Sequence, residues 1–162
     1  MARLRRLYPD TPGLVADGCA HKYPRLANKL WLKVADISAL EADYYKAIEN
    51  YEKVAQASVA NNLMKYSVKD YFLKSGICHL ATADLVSSQR ALEKYRDLDP
   101  TFTTTREHQL LVDLFETISA GEQEKFADIL FAYDRMSKLD SWKTTMLLRI
   151  KGQIEEVDDG FA

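Results

Sequence analysis

Beyond residue 27 the apolar residues return every three to four positions almost to the end of the chain, and nowhere do they alternate with the two-residue period of a strand. The pattern predicts helices throughout. Over 28–40, Leu30, Trp31, Val34, Ala35 and Ile37 form one stripe, and Lys29 and Lys33 stand a turn apart along its edge. After a polar break at Glu41, Ala42 and Asp43, the residues Tyr44, Ala47, Ile48, Tyr51, Val54 and Ala55 make the most regular amphipathic stripe in the chain. The two segments predict an antiparallel hairpin, followed by a small polar connector over 56–62.

The next segment, 63–83, is apolar on more than one face. Phe72, Leu73, Ile77, Leu80 and Ala81 follow one helical stripe while Tyr71 and Cys78 fall on a second, so this helix is expected to have neighbours on both flanks. Its partner runs over 85–98, with Leu85, Ser88, Leu92 and Tyr95 inward, and Asp99-Pro100 stops it because the residue before a proline avoids helical geometry. Thr104-x-x-Glu107 has the spacing of a capping box ahead of Leu110, Leu111, Leu114, Phe115 and Ile118. Ala120-Gly121 closes that helix, and Phe126, Ile129, Leu130, Tyr133 and Met136 supply the one that returns. Asp140 or Ser141 then caps a last helix carrying Trp142, Met146, Leu147, Ile150 and Ile154.

A small residue four positions before an aromatic one recurs at Ala47/Tyr51, Ala91/Tyr95 and Ala127/Phe131, each time on the second helix of a hairpin. The intervals of 44 and 36 residues scatter around the 34-residue tetratricopeptide period, so the repeat is degenerate. The expected fold is all-α: a tetratricopeptide-like stack of about three antiparallel hairpins closed by a C-terminal capping helix, each hairpin burying a face that it cannot bury alone.

Residues 1–24 break this pattern, with three of the four prolines and two of the six glycines and no helical period, and are expected to be loop or disorder. Net charge is −2 over 162 residues, so any electrostatic function has to come from local patches, and nothing in the overall balance calls for nucleic acid. Two cysteines, Cys19 and Cys78, suit a reducing compartment. No run reaches the roughly 20 apolar residues of a membrane span, and the basic start is cut off at Pro9-Asp10 before a signal core develops; the expected compartment is the cytosol. His21, His79 and His108 are scattered, and there is no glycine-rich phosphate loop and no nucleophile beside a base in a known motif, so no enzyme activity and no cofactor is expected. Cys19-x-His21 and Cys78-His79 are too sparse for a structural zinc site, and Cys78 reads as core.

Longer strings carry more information than these spacings. "KYSVKDYFLKSGICHLATAD", "ALEKYRDLDPTF" and "LDSWKTTMLLRIK" resemble the C-terminal half of the alpha-SNAP family of soluble attachment proteins, from about Ala27 in "ANKLWLKVA" to the acidic end. The resemblance implies an adaptor in the cytoplasm, peripheral on membranes of the secretory pathway, that binds the SNARE coiled-coil bundle and recruits the ATPase NSF to take it apart. Residues 25–162 then correspond to the C-terminal half of a SNAP-type domain, and 1–24 to an unmatched leader. Against the family the chain lacks the earlier hairpins and an apolar membrane-holding loop, which leads to the expectation of a fragment or an alternative start.

The site residues follow from the same resemblance. Exposed lysines on helices usually do no more than solvate a face, but Lys29, Lys33, Lys69 and Arg106 match basic positions that meet the acidic SNARE bundle. A row of long cations can follow a repeating acidic surface without demanding one sequence. Asp84, Glu116, Glu155, Glu156, Asp158 and Asp159 match acidic positions that recruit the ATPase. Two departures stand out: Ser119 and Ala120 replace expected carboxylates, and Phe161 replaces the family's penultimate leucine. The reading from another class is a general tetratricopeptide-like scaffold or co-chaperone module that grips peptide ends.

Overall fold

The computed structural model describes residues 22–159, with side chains through Ile154. Most of the expected leader, including Cys19 and His21, and the C-terminal Phe161 lie outside the described residues. Seven α-helices and no strand occur among the described residues: α1 Pro24–Leu40, α2 Tyr44–Val59, α3 Val68–Ala81, α4 Leu85–Leu98, α5 Arg106–Ala120, α6 Gln123–Met136 and α7 Ser141–Asp159. They form three hairpins, α1–α2, α3–α4 and α5–α6, in an all-α stack, with α7 laid against α1, α3 and α6.

The helix boundaries follow from their caps. Helix α1 begins four residues before the predicted start, with Pro24 in its first turn, where a missing N–H costs nothing and the fixed φ already suits a helix. Asp43 and Asp84 accept hydrogen bonds from the backbone N–H groups of Lys46 and Ser87, which starts α2 and α4. The cap of α5 is Thr105, accepting from His108 N at 3.2 Å. This corrects the expected Thr104 box: a 3-10 turn over Pro100–Thr104 carries the chain one residue further, and Glu107 turns aside to pair with Lys69. Asp140 caps α7 through Lys143 N at 2.8 Å. The predicted helix over 63–83 is shortened to Val68–Ala81, since Asn61 binds the N–H of Leu63 and folds the preceding residues into a turn, leaving Leu63 and Tyr66 in solvent.

Helix α3 is the centre of the stack. Nine of its fourteen residues are buried, Phe72, Leu73, Ile77, Cys78 and Leu80 among them, in agreement with its two apolar stripes. Phe72 stacks on Tyr95 of α4 at 4.6 Å and meets Phe102 edge-on at 5.2 Å. Ring pairs of this geometry add about 0.5–1.5 kcal/mol beyond area burial. Against α5 the approach is so close that a Cβ on Gly76 would stand 2.6 Å from Leu111 Cδ1, so any larger residue there forces the Leu111 side chain to shift.

The third small–aromatic pair is the exception to the repeat. Tyr51 and Tyr95 are fully buried, whereas Phe131 is 68% exposed and Met136 67% exposed. Among the described residues no further hairpin covers that face, because α7 crosses back over α1 and α3. Ile37 is likewise exposed, and α1 buries instead the small set Ala27, Asn28, Ala35, Ser38 and Ala39 around Trp31.

Candidate functional site

The first helices of the hairpins run parallel, and α7 fixes their heights. Lys143 Nζ is 2.6 Å from Asp70 Oδ1 in the first turn of α3, and Gln153 Nε2 donates to Ala81 O at its end, so α7 runs alongside α3 in the same direction. Trp142 Nε1 donates to Asp36 O, and Arg149 donates to Ala39 O and Leu40 O, which sets the same direction against α1. Asp36 of α1 pairs with Lys74 of α3 at 2.9 Å and also accepts from the Tyr51 hydroxyl. Lys29 precedes Asp36 by seven residues and Lys69 precedes Lys74 by five. At 1.5 Å per residue the two lysines lie about 10 Å and about 8 Å from that pair, at similar height near the starts of their helices.

Arg106 is the first residue of α5, and its neighbour Glu107 pairs with Lys69 at 3.4 Å. Lys69 and Arg106 are thereby brought together at one end of the stack, beside an open recess of about 340 Å³ lined by Lys65, Tyr66, Lys69, Asp99, Thr101, Phe102 and Thr105. Lys29 and Lys33 stand apart from them, exposed on the outermost helix and without an ion pair among the described residues. Lys69 is less free than the sequence suggests, since Glu107 and the Tyr66 ring, 5.0 Å from its Nζ, both hold it.

The acidic residues gather toward the opposite end. Asp84 caps α4 at the α3–α4 corner, and Glu116 is exposed on the later turns of α5. The backbone of α7 ends in the same direction and carries Glu155, Glu156, Asp158 and Asp159, whose side chains lie outside the described residues. Sequence reasoning missed Asp43 and Glu122, which occupy the corresponding cap positions at the other two corners. A carboxylate just after each hairpin turn was the available signal.

Burial and charge elsewhere serve cohesion. Glu52 is reached by Lys94 at 2.6 Å, by the Tyr95 hydroxyl at 2.9 Å and by His79 Nε2 at 3.5 Å, which ties α2 to α3 and α4. Burial alone would raise its pKa, but His79, Lys94 and Tyr95 together outweigh it and hold the carboxyl at about 2. Ser87 Oγ lies 3.3 Å from His79 Nδ1, yet with Glu52 taken up by Lys94 and Tyr95 this Ser–His–Glu row is a clamp between helices. Lys143 behaves similarly: burial would lower its pKa, but Asp70 and Asp140 raise it. No group of three metal-ligating side chains is found among the described residues, and no described helix is long and apolar enough to cross a membrane.

Comparison with known proteins agrees with this architecture. The family model described as "Soluble NSF attachment protein, SNAP" matches residues 21–155. The chain is 60% identical over 137 residues to the probable vesicular-fusion protein sec17 homolog of Neurospora crassa, covering 85% of this chain and 47% of that protein. It is 54% identical over 134 residues to the Schizosaccharomyces pombe protein of the same description, covering 83% and 46%. To the alpha-soluble NSF attachment protein of Homo sapiens it is 42% identical over 129 residues, covering 80% and 43%. The chain thus spans about half the length of the curated relatives it matches. With a family match over most of its length, and relatives of that family at up to 60% identity, this chain belongs to the soluble NSF attachment protein family.

Proposed function

We propose that this chain acts as a vesicle-fusion adaptor, peripheral on membranes of the secretory pathway, which binds the SNARE bundle and recruits and stimulates the ATPase NSF for its disassembly. The observation that carries the reading is the separation of charge along the helices: Lys29, Lys69 and Arg106 lie near one end, Asp84 and the acidic end of α7 toward the other. An adaptor that bridges an acidic coiled coil and a basic ATPase surface needs two such ends, because opposite charges side by side would cancel each other's attraction. In this reading Lys29, Lys33, Lys69 and Arg106 face the bundle. Asp84, Glu116, Glu155, Glu156, Asp158 and Asp159 attract the ATPase, and Phe161 is an apolar plug that stimulates it.

The scaffold alternative finds less support. The surface of α1 and α3, where a stack of hairpins would take an extended peptide, is covered by α7 through Trp142, Lys143, Arg149 and Gln153. Co-sedimentation with an assembled SNARE bundle, set against pull-down by a C-terminal peptide, separates the two. Binding to the bundle that collapses when Lys29, Lys33, Lys69 and Arg106 are reversed to Glu supports the adaptor, whereas retention by the peptide alone defeats it. Neutralising the four tail carboxylates should reduce recruitment of the ATPase and its salt sensitivity, while Phe161→Ala lowers turnover and leaves recruitment in place.

A further inference from the structure

The connection between α4 and α5 is clipped by a hydrogen bond that only a neutral histidine can accept. Arg96, in the last turn of α4, donates from Nε to His108 Nε2 at 2.8 Å, across the 3-10 turn of Pro100–Thr104. That bond leaves the ring proton on Nδ1. His108 is buried in the first turn of α5, where Thr105 caps its backbone N–H. Its ring meets Phe102 edge-on at 5.3 Å, and Phe102 in turn touches Phe72 and Tyr95, so the clip is joined to the aromatic core at the centre of the stack.

The surroundings of the ring disfavour a positive charge. The N-terminus of α5 is itself the positive end of a helix dipole. Burial first, and then the Arg96 guanidinium, hold the His108 pKa below its ordinary 6.5. Helix α5 packs on α3, α4, α6 and the 3-10 turn. Of the titratable groups these bring to its first turn, Lys69 of α3 is bound to Glu107, Asp99 before the turn is taken up by Thr101, and Tyr133 of α6 lies in the field of Glu107 and Arg106. Arg96 is the charge that acts on His108, and among the described residues no carboxylate pairs with it. A proton on Nε2 therefore removes the acceptor and sets two cations against each other, with Asp99 and Glu107 already bound elsewhere. We propose that Arg96 and His108 form an acid-sensitive latch on the α4–α5 connection, closed while the ring accepts from Arg96 and opened when a proton from solvent turns that acceptor into a donor. Opening releases the Pro100–Thr104 turn and the first turn of α5, and with them the Glu107 that holds Lys69.

The proposal does not rest on the fusion-adaptor reading, and its readouts need the chain alone. A histidine whose folded pKa is depressed stabilises the fold above its unfolded value and loses that contribution as pH falls below 6.5. Nuclear magnetic resonance of the full chain with isotope-labelled histidine rings should place the His108 proton on Nδ1 at a pH of about 7.5. The titration midpoint should lie below 6.5. Amide-exchange protection factors over residues 99–108 should fall by up to about tenfold between pH of about 7.5 and about 5.5, because opening to a state of ordinary pKa gains at most tenfold per pH unit below it. Those of α3 should hold. His108→Gln gives Arg96 an acceptor that does not titrate and should keep the corner at one level of protection across the range. Arg96→Gln, a change at an exposed position, can donate to the neutral ring or accept from the protonated one; the midpoint should rise towards 6.5 and most of the acid response should vanish. This second variant decides the matter if the first fails to fold. A neutral ring protonated on Nε2, a midpoint at or above 6.5, protection that ignores pH or falls equally throughout the chain, or an unaltered midpoint or acid response in Arg96→Gln would each overturn the latch.

Discussion

Replacing Glu52 with glutamine should remove a distinct step from the pH dependence of stability. Three groups converge on this half-buried carboxylate from α3 and α4, and together they hold its pKa at about 2 instead of the ordinary 4.5. A carboxyl depressed in the folded state stabilises it fully above the unfolded pKa, and loses that contribution as pH falls through the folded one. The window therefore runs from about 4.5 down to about 2. At about 1.4 kcal/mol per pH unit, the gap between the two values caps the contribution at about 3 kcal/mol. The side chain keeps 14% of its surface in water, and screening there lowers the expected figure to about 2 kcal/mol. Urea unfolding of the parent and of Glu52→Gln, followed by far-ultraviolet circular dichroism at pH values from about 5.5 to about 2.5, isolates Glu52 as the difference between the two. That difference should be largest at the upper pH and shrink by more than about 1 kcal/mol at the lower. A difference that stays constant or widens as acid is added would refute the argument that these partners stabilise the ionised form.

Three further changes probe the packing. Ala42 and Ala83 sit at hairpin corners with φ of 64° and 60°, where a Cβ is strained; Ala42→Gly and Ala83→Gly should each raise stability by about 0.5–1 kcal/mol in thermal melts, and a loss at both would contradict the left-handed geometry. Gly76→Ala should cost about 1–3 kcal/mol through collision with Leu111, more than the roughly 1 kcal/mol gained in helix propensity, so a more stable variant in denaturant titration would show that α3 and α5 lie further apart. Trp142→Phe keeps a ring against Tyr51 but removes the donor to Asp36 O, at about 1–2 kcal/mol; hydrogen exchange should quicken along α7 and stay slow in α3, and uniform slowing or no change in α7 would count against its role as the anchor.

The sequence by itself determined which segments are helical and where several of them stop. Leu85–Leu98 was legible to the residue because Asp99-Pro100 ends it, and the α5–α6 corner was legible because Gly121, at φ of 69°, is the residue that this geometry favours. The same left-handed turn at Ala42 and Ala83 left no such mark, since alanine there is tolerated only because the packed hairpins impose it. The basic and acidic residues of the candidate site came from resemblance to a family. Their distribution toward opposite ends became visible only when Asp36–Lys74 and Lys143–Asp70 fixed the relative heights of α1, α3 and α7. The sequence placed Ile37 on an apolar stripe and Phe131 in the small–aromatic repeat, but periodicity measures how apolar a helical face is without saying whether another element arrives to cover it. That is decided by contacts between residues far apart in the chain: α7 turns back across α1 and α3, and among the described residues no element covers Ile37 or Phe131.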